Sequence, residues 1–403
     1  MLSVHEAVEH MLTTLTPITK TELIHIEQAV DRVLAEPVQS AINVPSYNNS
    51  AMDGFAFRAA DIESDASQLR CIGQSLAGHP FNGIVGAGEC IRIMTGAQVP
   101  ESVDTVIPQE NTLEPEANVI QMNGPAKSGA NIRILGEELQ IGAAVYHAGH
   151  RLTPVDIGML ASLGIAQVQV YRPLKVAVFS TGDELVLPGE QKQDFQLYDS
   201  NRFVLHAMLE RMGFEVINLG LVADDPALIE AAFRNAARQA DAIVCSGGVS
   251  VGDADYTKDV IEKVGQVGFW KVAMKPGKPF AFGRIDQAWF FGLPGNPVSA
   301  TVTLLQLAAP ALRQLSGEVY KAPLTIRVVA GEPLKKRPGR ADFQRGILRY
   351  ENGENRVYSA GPQGSGMLSS MVQGNCLIRL SAEQGSVEAG ELVDVELLQT
   401  PIK

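Results

Sequence analysis

The sequence predicts a multidomain protein of the α/β-plus-β class. A doubly wound, mostly parallel α/β domain is flanked by β-rich domains and followed by a small C-terminal β-barrel. Three observations carry this reading. From Pro173 onward, short apolar runs alternate with helical patterns, as in a sheet covered by helices on both faces. Upstream, a Gly-, Pro- and Asn-rich stretch of strand-like runs sits between two pieces of similar character, which suggests one domain inserted into another. After Pro323 only strand patterns remain. The boundaries read as 1–46 joined to 142–172, then 47–141, 173–322 and 323–403. A chain of 403 residues is long enough for several separate cores.

In order along the chain, Ser3 and Glu6 form a capping-box pattern, and Val4, Ala7, Val8, Met11, Leu12 and Leu15 follow helical spacing until Pro17. Short strands and small helices are expected over 21–45 and 142–170. Lys175–Ser180 reads as a strand, and Asn201–Met212 as a helix capped by Asp199 or Ser200. Glu215–Leu219 is a second strand. Asp225-Pro226 pairs a cap with a proline in the first helical position and opens a helix through Arg238. A buried strand from Ala242 to Cys245, a helix from Tyr256 and strands near Phe269 and Trp289 follow. Asn296-Pro297 starts a last helix. Beyond it lie strands at Leu324–Val329, Asp342–Arg349, Cys376–Leu380 and Leu392–Leu398.

Composition excludes several functions. A formal net charge of −12 argues against a general nucleic-acid binder, which needs basic patches to displace counterions. The four cysteines are scattered without a Cys-x-x-Cys pair, which speaks against a zinc ribbon or a disulfide framework and fits a reducing compartment. No basic segment followed by an apolar core opens the chain, and no apolar run approaches the roughly 20 residues that span a bilayer. A cytoplasmic protein without membrane or nucleic-acid partners is expected. The seven histidines show no ligand-like spacing, and the zinc-protease, phosphate-loop and nucleophile-elbow motifs are missing.

The strand Ala242–Cys245 empties into Ser246-Gly-Gly-Val-Ser-Val-Gly-Asp-Ala-Asp-Tyr256. Such strand ends are where open α/β sheets bind ligands. Gly247 and Gly248 allow close backbone approach, and Asp253 and Asp255 suit Mg²⁺, a hard cation that takes carboxylate and phosphate oxygens together. A structural turn with two solvated acids is the alternative. Ser180-Thr-Gly-Asp-Glu-Leu185 leaves the first strand and brings Asp183 and Glu184 to the same edge. Lys271, Lys275 and Lys278 gather around another strand end, and Lys271 and Lys275 would share a face of an extended run. Carboxylates and lysines in one crevice suit a phosphate with a metal; a surface ion-pair cluster is the alternative. Pro294 and Pro297 stiffen the turn Leu293-Pro-Gly-Asn-Pro-Val-Ser299. Asp53, Thr95 and Arg133 lie in polar loops that would also pass as ordinary turns.

The order and wording of Asn49-Ser-Ala-Met-Asp-Gly-Phe-Ala56, Met94-Thr-Gly-Ala97, Ser180–Leu185, Ser246–Tyr256, Lys275-Pro-Gly-Lys-Pro279 and Leu293–Ser299 closely resemble the molybdopterin molybdenumtransferase (MoeA) family, of which the gephyrin E-domain is a relative. The resemblance covers essentially the whole chain. It implies a homodimer of four-domain subunits with a cleft shared between subunits. It also implies an enzyme that takes adenylylated molybdopterin and molybdate, releases AMP and forms molybdenum cofactor. By residue, it implies Glu184 and Asp255 as Mg²⁺ and nucleotide acids, Asp224 as a further functional acid, and Lys271 and Lys275 as groups serving the anionic substrate. Ser180, Gly247, Gly248, Ser250 and Lys278 would border the substrate, with Pro294 and Pro297 shaping the pocket. Arg345 and Ser365 would hold molybdate, and Asp53 and Thr95 would complete the cleft from the inserted domain. Where the family commonly has Gly-Glu-Asp, this chain has Gly136-Glu-Glu138, so Glu138 keeps the charge on a longer arm. A molybdopterin adenylyltransferase and a gephyrin-like scaffold are the alternatives. Implied partners are a molybdopterin adenylyltransferase and the maturation proteins of molybdoenzymes.

Overall fold

The computed structural model describes residues 1–62, 64, 66–124, 127–247 and 256–398. The chain folds into two compact units. One comprises Met1–Glu36, Ala148–Gly158 and Ala166–Lys403; the other comprises Pro37–His147 and Met159–Ile165.

The larger unit is built on a six-stranded sheet in the order Glu215–Val222, Lys175–Thr181, Ala242–Ser246, Ala288–Leu293, Pro279–Ile285, Gly265–Lys271. The first four strands are parallel; Pro279–Ile285 runs against them and Gly265–Lys271 runs against Pro279–Ile285, back in the direction of the first four. Strand residues point alternately to opposite faces, and here both faces are buried. Val176 and Val178 pack with Leu205 and Leu209 of the helix Asn201–Arg211. Ala177 and Phe179 pack with Ile229 and Phe233 of the helix Pro226–Gln239. Helices on both faces of an apolar parallel strand make the sheet doubly wound, as the alternation predicted.

Local rules account for most element ends. The Ser3–Glu6 capping box is present in both directions, and the Ala7, Val8 and Met11 face of helix Val4–Thr14 enters the same core as Leu312 and Leu315. Asp225 caps its helix through the amides of Ala227 and Leu228. At Asn201–Arg211, Asp199 rather than Ser200 supplies the side-chain acceptor, from the amide of Arg202. The helix from Pro297 runs on to Leu315 through a wider π turn at Leu304–Ala308. Pro310 explains the turn, because proline has no N–H for the carbonyl one turn back.

Pro279–Ile285 and Glu354–Ser359 are among the strands that escaped the sequence reading. Both are hairpin partners of strands that were expected. The second follows an Asn352-Gly353 turn with φ of 52° and 87°, the geometry that two-residue hairpins favour.

The expected C-terminal barrel closes. Ala341–Glu351 pairs Asp342–Gly346 with Cys376–Leu380 and Gly346–Glu351 with Glu354–Ser359, and Thr325–Ala330 and Leu392–Leu397 complete the ring. Its core holds Val328, Leu334, Val357, Ile378 and Val395.

The smaller unit carries a second six-stranded sheet, ordered Thr105–Pro108, Gly54–Phe57, Glu89–Ile93, Gln68–Ser75, Val119–Met122, Thr112–Glu116. It too is buried on both faces: Ala56, Ile91 and Ile93 enter one core, Phe55, Phe57 and Cys90 another. Gly54 is required by close approach, because a Cβ there would lie 1.8 Å from the Ile107 carbonyl oxygen. Among the described residues, no helix is long and apolar enough to cross a membrane.

The Phe233 ring sits edge-on to Phe179 at 5.1 Å and to Phe290 at 5.4 Å, and is fully buried. Phe233→Ala is expected to destabilise the larger unit by about 3–5 kcal/mol, read from the shift of its urea unfolding transition. A loss below about 1 kcal/mol would mean that this helix face is not part of a packed core.

Candidate active site

The carboxyl ends of the four parallel strands lie side by side. In sheet order they lead to Asp224, to Asp183 and Glu184, to Gly247, and to Pro294. The chain leaves Lys175–Thr181 for one neighbour and returns to the other, so a topological switch point falls between Thr181 and Ser246. With strands about 4.8 Å apart, the row spans roughly 14 Å.

Its acidic end is a reciprocal pair of loops. The Asp183 amide donates to Asp224 Oδ2 at 3.3 Å, and the Asp224 amide donates to Asp183 Oδ1 at 3.0 Å. Burial pushes the Asp224 carboxyl above the usual aspartate range, and the negative charges of Asp183 and Glu184 add to the effect, against the Asp183 amide bond. Glu184 is exposed beside this pair. Its carboxylate folds back over Gly182, where a Cβ would come within 2.7 Å of Oε2.

The middle of the row is pinned from below. Ser180 is fully buried, and its hydroxyl bonds Asp199 Oδ1 at 3.2 Å, so it supports the edge from within. Asp199 in turn holds Arg202 at 2.8 Å in a buried ion pair. The Asn201 amide donates to Ser246 Oγ at 2.7 Å and to the Gly295 carbonyl at 2.6 Å, tying two strand ends together. Gly247 has φ of 95°, and a Cβ would lie 2.7 Å from the Thr181 carbonyl oxygen. Gly248, Ser250, Asp253 and Asp255 lie outside the described residues.

The far end of the row is cationic. A cavity of about 410 Å³ is lined by Lys275, Lys278, Pro294, Ser299, Arg340 and Ser365, among others. Lys275 Nζ is 3.4 Å from Asp342 Oδ2. Pro297 opens the helix beside it, and the next amide, of Val298, donates to the Ser365 carbonyl at 3.0 Å. Lys271 ends the outermost strand and does not line this cavity. The extended run expected to align it with Lys275 is broken: Lys271 ends the α/β sheet, whereas Met274–Lys275 pairs with Ala341–Asp342 of the barrel sheet.

Arg345 is 1% exposed. Its Nε donates to Ser370 Oγ at 3.0 Å and its Nη2 to the Gly364 carbonyl at 3.1 Å, so it braces the loop that presents Ser365. Gln363 bonds the Arg345 backbone in both directions, which fixes the other side of that loop.

In the smaller unit, two residues 42 positions apart meet. Asp53 Oδ1 accepts from both the Thr95 amide and the Thr95 hydroxyl at 2.7 Å. These bonds, the backbone one first, hold the Asp53 carboxyl below its usual range, with a smaller contribution from Arg92. Arg92 itself lies 5.0 Å over the Phe55 ring. Glu138 is exposed in a loop whose amide donates to the Val44 carbonyl at 3.0 Å. Sequence reasoning passed over Asn201, Arg92 and Arg340. Asn201 stands in Asp199-Ser-Asn-Arg202, read only for helix caps, and the Pro338-Gly339 turn before Arg340 was the available signal.

A doubly wound sheet with acids and a cationic cavity along one carboxyl edge places this chain in the class of α/β proteins whose strand ends present ligand-binding groups. Family comparisons narrow the class. The MoeA N-terminal region (domain I and II) matches residues 2–164, a probable molybdopterin binding domain matches 177–314, and the MoeA C-terminal region (domain IV) matches 327–398. A molybdopterin molybdenumtransferase of Haemophilus influenzae is 49% identical over 398 residues, covering 98% of each chain. One of Nostoc sp. is 34% identical over 95% of this chain and 89% of its own. A molybdopterin biosynthesis moeA protein from Pyrococcus horikoshii superposes with a TM-score of 0.84 at 27% identity, covering 98% of this chain and 100% of its own. The chain belongs to the MoeA family of molybdopterin molybdenumtransferases.

Asp224→Asn removes the perturbed charge and keeps an oxygen acceptor. Because the folded carboxyl binds its proton more tightly than the unfolded one, wild type draws stability from this group below roughly pH 4. It loses that stability as the pH rises through the raised folded value. The variant should therefore gain stability relative to wild type as the pH rises above about 4, in urea melts at each pH. A difference that does not change with pH would show an unperturbed Asp224.

Proposed function

We propose that this protein inserts molybdenum from molybdate into adenylylated molybdopterin, in a Mg²⁺-dependent reaction that releases AMP and yields molybdenum cofactor. The observation that carries the reading is the sorting of charge along one sheet edge, with carboxylates at Asp224 and Glu184 and cations at the Lys275 cavity. Cleavage of a phosphoanhydride depends mainly on positioning and charge stabilisation, which such an edge can provide. Lys275, Lys278 and the Ser365 hydroxyl are suitable donors to an oxyanion. Lys271, at the same edge, adds to the positive field over the substrate. The dithiolene sulfurs that take the metal belong to the pterin, so no cysteine cluster is needed.

The donor set suits Mg²⁺. Among the described residues no three His, Cys, Asp or Glu side chains converge on one ion. Mg²⁺ does not require such a cage, being held commonly by one or two carboxylates plus substrate phosphates. Glu184, with Asp255, would hold it, and when bound it neutralises charge on the phosphate oxygens. Cys71, Cys90, Cys245 and Cys376 are not joined in disulfides among the described residues, which suits a cytoplasmic setting. A molybdopterin adenylyltransferase would supply the substrate, and maturation proteins of molybdoenzymes would receive the product.

Purified protein incubated with adenylylated molybdopterin, Mg²⁺ and molybdate should release AMP in a molybdate-dependent manner. Glu184→Gln should slow that release at least tenfold, about 1.4 kcal/mol of barrier. ATP-dependent adenylation of free molybdopterin would instead mark an adenylyltransferase. Neither activity would leave a scaffold.

Asp53 and Lys275 belong to different units of the chain. In a two-fold homodimer with clefts shared between subunits, mixed Asp53→Ala and Lys275→Ala subunits would create one intact cleft per heterodimer. Activity should then climb toward roughly a quarter of wild type after random exchange. No recovery despite verified exchange would mean that each cleft is built by one subunit.

A further inference from the structure

The geometry points to Arg340 as the side chain that grips a tetrahedral oxyanion dianion, the class to which molybdate belongs, in the Lys275 cavity. This inference rests on the proposed function and adds to it a contact residue. Two arginines lie near the cavity, and their surroundings divide their roles. Arg345 is 1% exposed and gives its Nε to Ser370 Oγ and its Nη2 to the Gly364 and Pro362 carbonyls. It is a positioning residue for the loop that carries Ser365. Arg340 lines the cavity itself, together with Lys275, Lys278, Ser299 and Ser365. Its guanidinium has neither a hydrogen bond nor an ion pair among the described residues.

The charge count agrees. Lys275, Lys278 and Arg340 line the cavity, and Asp342 lies 3.4 Å from Lys275 Nζ and also accepts from Gln344 Nε2 at 3.2 Å. With Asp342 set against Lys275, two cations of the lining remain, which matches a dianion. Of the three, only arginine offers a planar fork that can donate two parallel N–H bonds to two oxygens of one tetrahedron; lysine acts as a point charge. The root of the side chain is held on both sides. The Gly339 amide donates to the Ala382 carbonyl at 2.7 Å, and the Ala341 amide to the Ala273 carbonyl at 2.8 Å. Gly339, with φ of 104°, makes the turn that sets Arg340 at the cavity wall.

The test is equilibrium dialysis of the full chain with radiolabelled molybdate, in the presence of Mg²⁺ and AMP. Arg340→Ala is expected to weaken molybdate binding at least tenfold. Arg340→Lys, which keeps the charge and loses the fork, should fall between the two. Arg337→Ala, the same loss of charge outside the cavity lining, should bind as wild type does. Thermal unfolding of each variant confirms that it is folded. Wild-type-like binding by a folded Arg340→Ala overturns the inference and leaves the proposed function standing. An equal loss in Arg337→Ala also overturns it, since the effect would then be a general field. If the wild-type protein itself binds no molybdate, the proposed function falls with the inference.

Discussion

The burial of Lys175–Thr181 on both faces is the constraint on which the site depends. Its side chains alternate between two cores, with Val176 and Val178 on one side and Ala177 and Phe179 on the other. A one-residue slip would exchange those faces and carry every strand end with it. Because its neighbours Glu215–Val222 and Ala242–Ser246 are parallel to it, their carboxyl ends open on the same edge. The segments that carry Asp224, Asp183 with Glu184, Gly247 and Pro294 therefore start from positions along a line set by strand spacing.

Beneath that edge, polar groups do the fastening. Asp199 is shared between the Ser180 hydroxyl, the Arg202 amide and the Arg202 guanidinium, all in the interior. A buried carboxylate is tolerated there because its oxygens are paired and hydrogen-bonded. Asn201, next in sequence, faces the other way and links Ser246 to Gly295. The same division of labour recurs in the barrel, where buried Arg345 braces a loop and exposed groups of that loop border the cavity. Ser180 and Arg345 thus each make bonds that brace the chain from the interior.

The smaller unit uses a different device for the same end. A single carboxylate oxygen of Asp53 collects both donors of Thr95 and stays ionised because both bonds favour the charged form. Gly54, immediately after it, is needed because the strand runs against the Ile107 carbonyl. The Asp-Gly pair thus reflects close packing of strands rather than a turn alone.

By itself the sequence determined the element types wherever a local rule governs them. Alternating and helical periodicity located the parallel strands and their helices, and the Ser3–Glu6 and Asp225-Pro226 signals located two helix starts. The omissions include hairpin strands: Pro279–Ile285 and Glu354–Ser359 acquire their meaning only from the partners they pair with. The wording of the motifs, set in order along the chain, was enough to place it in its family. Only the tertiary structure decided which side chains meet. Asp53 and Thr95 are joined across 42 residues, Lys275 and Asp342 across 67, and Ser180 and Asp199 beneath the edge. It also set Arg345 in the interior and Arg340, five positions before it, at the cavity wall. The reason is physical: periodicity is a property of neighbours in the chain, whereas burial and hydrogen-bond partners come from segments far away in it.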